Sequence, residues 1–214
     1  MIAGIILAAG KSTRLNSNVP KPFLKISNKR ILSYSIETFQ EYVDEIIIVV
    51  PLEWHQKIKE EYENHNIIIG GETRKESSYR GLLACHQNTS KVLIHDAARP
   101  FVNDQIITDC INKLDNYDAV TTAVNPVDTI VTMDKDIIDN VLLRKICKLE
   151  QTPQAFKYDI ILKAHKSKVI DPTDDIYLAH SQGVECGIVD GCYENFKITN
   201  DIDLDIAKII AKKK

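Results

Sequence analysis

Lys11, Arg14 and Lys21 follow an apolar run closely, in "LAAGKSTRL" (residues 7–15) and the "PKPFL" (20–24) after it. Three cations set among free backbone N–H groups can hold a triphosphate and offset the charge that develops on a leaving diphosphate. Ala8, Ala9 and Gly10 are small enough for a planar base or a sugar to lie against the backbone, and a glycine at position 10 can take a positive φ. The letters Gly-Lys-Ser-Thr suggest a Walker-type loop. That loop needs a glycine, four residues and then Gly-Lys-Ser/Thr, whereas five residues, Ile5 to Ala9, separate Gly4 from Gly10. Two readings stay open: a nucleotide-gripping turn of another kind, and a solvated basic loop carrying the same charges.

Two further stretches carry chemistry. "GGETRKESSYRGL" (70–82) places paired glycines, including Gly71, before a helix start whose N–H groups can donate to an anion. Ser77 adds a hydroxyl that both donates and accepts, as a pyrimidine edge requires. The plain alternative is an ordinary connecting turn with Ser77 and Ser78 on the surface. "LIHDAARPFV" (93–102) ends an apolar run in His95, Asp96 and Arg99. Asp96 suits Mg²⁺ or a ribose, because a hard ion that bridges phosphates takes only one or two protein carboxylates. A lone His95 reads as a packed, orienting side chain rather than an acid or base.

These stretches need a scaffold that brings them together. Short β-branched runs recur at 2–7, 44–50, 66–70, 91–97 and 118–124, continuous rather than alternating, as in strands covered on both faces. Between them lie helical spacings: Leu32, Ile36 and Phe39 in "ILSYSIETFQEY", then 53–63 and 104–117. Such alternation predicts an α/β fold with a largely parallel sheet. Ligands of such sheets bind beyond the carboxyl ends of the strands, so the loops after residues 7, 70 and 97 should converge on one site. From about 126 to 150 the rhythm breaks into two short β-like pieces with charges, read as an arm inserted in one 1–214 domain and able to pair with another subunit. Helices at 157–168 and from about Thr173, a strand near "VECGIV" and a last helix complete the chain. In that last helix Ile202, Ile206, Ile209 and Ile210 are expected to form the buried stripe, with Asp201, Asp203 and Asp205 at its positive end.

A formal charge of −3 argues against bulk nucleic-acid binding, so any polyanion held is expected to be small. The chain carries no apolar stretch of the roughly 20 residues that span a membrane. Its start lacks a basic segment and is not expected to be a signal peptide. Cys85, Cys110, Cys147, Cys186 and Cys192 show no metal-ligand spacing and read as reduced thiols of a cytoplasmic protein.

Taken in order, "LAAGKSTRL" with "PKPFL", "GGETRKESSYRGL", "HDAARP", "PVDTI", "TPQAF", "TDD" and "NFKIT" make the sequence resemble the 2-C-methyl-D-erythritol 4-phosphate cytidylyltransferase family of isoprenoid biosynthesis over nearly its whole length. The resemblance implies a Rossmann-like nucleotidyltransferase fold, a homodimer joined through protruding arms, and Mg²⁺-dependent transfer of a cytidylyl group from CTP to a sugar-alcohol phosphate. It further implies that Arg14 and Lys21 stabilise the transition state, that Ala8, Ala9, Gly10, Lys11, Gly71 and Ser77 hold the nucleotide, and that Asp96 meets the ribose or the metal. Thr129, Arg144, Thr152 and Lys197 would hold the acceptor phosphate, Thr129 and Arg144 coming from the neighbouring subunit's arm, with Arg144 and Lys197 also assisting the transfer. Ser12, Leu15, Pro22, His180 and Glu194 depart from the family's usual residues without removing a cation. The related ribitol 5-phosphate cytidylyltransferases share these motifs, but "HDAARP" fits the first family better, theirs usually having Val in its fourth position.

Overall fold

The computed structural model describes residues 1–10, 19–169 and 172–213. The apolar runs fold as strands: β1 (Ile2–Leu7), the short pair β2 (Lys25–Ile26) and β3 (Lys29–Arg30), β4 (Glu45–Val50), β5 (Asn66–Ile69), β6 (Lys91–Asp96) and β7 (Ala119–Val124). The arm contributes β8 (Val131–Asp134) and β9 (Ile137–Val141), and β10 (Leu149–Lys157) and β11 (Cys186–Asp190) follow. The helices are α1 (Ile31–Phe39), α2 (Leu52–Glu61), α3 (Arg74–Leu83), α4 (Asp104–Lys113), α5 (Tyr158–His165), α6 (Asp175–Ser181) and α7 (Asp201–Ala211).

Seven strands make one sheet in the order β11-β7-β10-β6-β1-β4-β5. All its pairs are parallel except those of β10, which runs antiparallel to both β6 and β7. Continuous Ile and Val runs suit it because alternate residues enter different cores. Ile6, Ile46 and Ile48 pack with Leu32 and Phe39 of α1, Ile58 of α2 and Ile107 of α4. Ile5, Ile47 and Val49 pack on the other face with Leu82 of α3, Ile161 of α5 and Leu178 of α6. The result is a sheet with helices on both faces. After β5 the chain crosses back over β1 to form β6, so the carboxyl ends of β1 and β6 flank the point where the strand order reverses.

One expectation is corrected. In α7 the buried residue is Ala207, with Leu204 and Ile210 half-buried beside it, whereas Ile202, Ile206 and Ile209 face outward, 72%, 43% and 59% exposed. The helix docks through its smallest residue, which lets it approach Ile26, Ile31 and Phe101 closely. Where the arm is expected to end, at about 150, β10 takes over: residues 149–157 enter the main sheet, leaving the β8–β9 hairpin outside it. That hairpin turns through Lys135 at φ 53°. Every residue of β8 and β9 is exposed, including Val131, Met133, Ile137, Ile138 and Val141.

Candidate active site

The loops after β1, β5 and β6 meet in one cleft of about 340 Å³, lined among others by Ala9, Gly10, Lys21, Gly71, Ser77 and Asp96, with Lys197 and Thr199 from the segment before α7. Lys11 and Arg14 lie outside the described residues. Ala8 is buried and its N–H donates to the Val49 carbonyl at 2.7 Å, so the chain leaves β1 held against β4. Gly10 takes no positive φ, contrary to expectation, and a Cβ there would meet nothing within 4 Å among the described residues. Close approach demands glycine at Gly70, whose added Cβ would stand 2.5 Å from the Ala9 Cβ and 2.9 Å from the Ser77 hydroxyl, and at Gly71, whose added Cβ would stand 2.3 Å from the Glu76 Cβ.

The start of α3 forms one wall. Thr73 caps the helix by accepting from the Glu76 N–H at 3.1 Å, leaving the helix N-terminus open to the cleft. Ser77 and Ser78 are both buried, which removes the surface-turn alternative. The Ser77 hydroxyl donates to the Thr73 carbonyl at 3.0 Å and accepts from the Gly71 N–H at 3.1 Å, tying the glycine turn to the helix.

Asp96 ends β6 at the centre of a charged chain. Its Oδ2 accepts from Lys197 Nζ at 2.7 Å and its Oδ1 from Arg74 Nε at 3.3 Å. Arg74 Nη1 donates in turn to Oδ2 of the fully buried Asp175 at 2.7 Å. The other oxygen of Asp175 binds the Ser78 hydroxyl at 2.7 Å and His165 Nε2 at 2.8 Å. Burial alone would raise both carboxyls. The guanidinium of Arg74, joined by Lys197 at Asp96 and by His165 at Asp175, more than reverses this and holds both below the usual carboxylate range. Arg74, which lines the cleft, and Asp175, which anchors it, are residues that sequence reasoning missed, although "TRK" and "TDD" contain them.

Thr152 sits beneath Asp96, its hydroxyl accepting from the Asp96 N–H at 3.0 Å and bonded to His95 Nδ1 at 3.1 Å. A register break between Gln151 and Gln154 turns this part of β10 toward β6. His95 is fully buried and lowered to about 4 by that burial, a neutral packed histidine as its sequence context suggested. Lys21 is 7% exposed and donates to the Thr199 carbonyl at 2.6 Å. Lys197 is placed by the backbone beside it, where the Ile198 N–H donates to the Ala98 carbonyl at 2.9 Å. Thr129 and Arg144 are exposed on the arm, the Arg144 guanidinium donating to the Val127 carbonyl at 2.5 Å, and neither lines the cleft. His180 stands exposed in the last turn of α6, also away from the cleft lining.

A second, smaller pocket of about 150 Å³ adjoins the cleft and shares Arg74, Asp96 and Lys197 with it. The described residues hold no group of three or more His, Cys, Asp or Glu able to bind a metal by themselves. A buried carboxylate flanked by two cations suits an ion brought in by phosphates better than one caged by the protein.

A cationic cleft at the reversal point of a doubly covered α/β sheet defines a nucleotide-handling fold of the transferase type. The model of the 2-C-methyl-D-erythritol 4-phosphate cytidylyltransferase (IspD) family matches residues 2–213. The 2-C-methyl-D-erythritol 4-phosphate cytidylyltransferase of Clostridium acetobutylicum is 39% identical over 100% of this chain and 98% of its own, and that of Clostridium tetani 37% over 98% and 89%. The crystal structure of 4-diphosphocytidyl-2C-methyl-D-erythritol synthase from Anaerococcus prevotii superposes with a TM-score of 0.87 at 30% identity, covering 99% of this chain and 98% of its own. The chain belongs to the 2-C-methyl-D-erythritol 4-phosphate cytidylyltransferase family.

Proposed function

We propose that the protein transfers the cytidylyl group of CTP to 2-C-methyl-D-erythritol 4-phosphate, releasing diphosphate and forming 4-diphosphocytidyl-2-C-methyl-D-erythritol for isoprenoid synthesis. The observation that carries this reading is the meeting of two pockets at Arg74, Asp96 and Lys197, one large enough for a nucleotide and one for a small acceptor. The nucleotide lies along Ala9, Gly10, Gly71 and Ser77, with Ala8 buried behind them and outside the cleft lining, and the acceptor phosphate reaches the α-phosphorus beside Lys197. A phosphomonoester has its second pKa near 6, so the attacking oxygen is already anionic at neutral pH and needs no strong general base. As its bond to the α-phosphorus forms, the bond to the diphosphate oxygen breaks. The work is then to bring two polyanions together and to offset charge on the equatorial and leaving oxygens. Lys21, Lys197 and, from the sequence, Lys11 and Arg14 supply it. Mg²⁺, entering with the triphosphate and met by Asp96, would neutralise further charge on the nucleotide.

Thr129 and Arg144 reach an acceptor only if a second copy brings them. The hairpin argues for this, since a two-stranded ribbon exposing five large apolar side chains is marginal alone. The reading is therefore a homodimer with shared sites. All five cysteines are free, which suits the reducing cytoplasm, and no helix among the described residues is long and apolar enough to cross a membrane. Diphosphate release from CTP tests the proposal with 2-C-methyl-D-erythritol 4-phosphate and ribitol 5-phosphate offered separately. Turnover preferring ribitol 5-phosphate, or none with either, refutes it.

A further inference from the structure

The small pocket beside Asp96 has an unexpected far wall. Where a chamber for a phosphate alone would be lined by donors, this one also carries the carboxyls of Glu150 and Asp174. Two more negative charges there would repel an anionic acceptor. The reaction fixes which end of the acceptor lies where. Its phosphate must stand at the shared boundary, beside Lys197, because the nucleotide's α-phosphorus lies across it; the rest of the molecule then extends into the small pocket toward Glu150 and Asp174. We infer that Glu150, with Asp174, recognises the hydroxyl groups of the acceptor's polyol tail and so determines acceptor specificity, an inference that rests on the transfer reaction proposed above.

The local chemistry agrees. Asp174 spends Oδ1 on capping α6, accepting from the Tyr177 N–H at 2.9 Å. The exposed Glu150 lines the pocket beside Asp174, and partial burial of its carboxyl, then the neighbouring Asp174 side chain, raises that carboxyl above the usual carboxylate range. A carboxyl oxygen accepts from an alcohol's O–H, and the two side chains place such oxygens together on one wall of the pocket. Two residues lining the same pocket also carry a guanidinium nitrogen, Arg74 Nη2 and Arg99 Nε, that is buried with no hydrogen-bond partner among the described residues. Arg99 is fixed against this strand, its Nη2 reaching the Glu150 carbonyl at 3.4 Å and its Nη1 the Asn195 carbonyl at 2.9 Å. The pocket is less than half the volume of the nucleotide cleft, which admits a short polyol and excludes a second nucleoside.

The test compares wild type with Glu150→Ala, Glu150→Gln and Asp174→Asn, asparagine retaining the helix cap. Each is assayed for the KM of CTP, of 2-C-methyl-D-erythritol 4-phosphate and of butyl phosphate, which has the anion but no hydroxyls. Loss of a hydroxyl contact should raise the KM of the polyol phosphate about five- to tenfold in Glu150→Ala, less in Glu150→Gln. The KM of CTP should stay within about twofold, and butyl phosphate should no longer distinguish the variant from wild type. Thermal unfolding of each variant separates these effects from loss of fold, with Glu150→Gln the conservative check. An unchanged polyol-phosphate KM, or an equal rise for butyl phosphate, overturns the inference while wild-type turnover leaves the reaction standing. A wild type that releases no diphosphate with any polyol phosphate overturns both.

Discussion

Arg74→Ala removes the cation that stands between two buried carboxylates, and its consequence can be sized from their surroundings. Asp175 is fully buried and 2.7 Å from the guanidinium; Asp96 is 9% exposed and 3.3 Å away. Removing one partner of a buried ion pair costs about 3–5 kcal/mol. Lys197 remains at Asp96, and Ser78 and His165 remain at Asp175, which places the loss near the lower figure, about 3 kcal/mol. For a chain of this size that is a drop in Tm of about 6–12 °C at neutral pH. The pH dependence has a definite sign. Both carboxyls are held below their unfolded value of about 3.9, so the stability they contribute is present above that value and lost as pH falls through the folded ones. Without Arg74 the depression shrinks, and urea unfolding between pH 5 and 3 should show a steeper fall for wild type than for the variant. A Tm within about 2 °C of wild type at pH 7, or parallel pH slopes, would refute the assignment of Arg74 as the charge that stabilises this chain of contacts.

Lys197→Ala should weaken use of the acceptor more than of CTP, read as a rise in acceptor KM with CTP KM little changed; equal effects on both would remove Lys197 from the acceptor side. Lys21→Ala and Arg14→Ala should each lower kcat by about 10²–10³ with the circular dichroism spectrum retained, and near-normal turnover would exclude them from stabilising the transition state. Gly70→Ala forces a Cβ to 2.5 Å from the Ala9 Cβ and should weaken CTP binding by about 1–3 kcal/mol in calorimetry, an undisturbed affinity showing that the turn is not part of the nucleotide wall. Ile137→Asp in the exposed hairpin should convert a dimer to a 24.2 kDa monomer in sedimentation and abolish turnover; an active monomer would sink the shared-site reading.

The parallel strands were legible because continuous Ile and Val runs have few other uses in a chain of this composition, and the cleft because strand ends gather ligand loops. β10 was not legible. "LEQTPQAFK" carries Glu, two Gln and a Pro, a poor strand pattern, and it earns its place in the sheet through pairing with β6 and β7, which is invisible locally. The stripe of α7 failed for a related reason: four isoleucines at helical spacing mark an apolar face, but the docking side was decided by how closely Ala207 can approach Phe101 and its neighbours. The chain Lys197–Asp96–Arg74–Asp175–His165 is built from direct contacts between positions as much as 101 residues apart, and single charged residues carry no periodic signal of their partners. Ser77, Asp96 and Lys197 were found from motifs; what holds them needed coordinates.

Lys197 is set in place by the last segment of the chain, where Asp203 accepts from the Thr199 and Asn200 N–H groups at 2.7 and 3.0 Å and Asn200 caps α7 in return. During synthesis on the ribosome the sheet's parallel half emerges early, yet the corner that holds Lys197 can form only once α7 has emerged. A nascent or carboxyl-truncated product could therefore be largely folded and still be inert toward its second substrate.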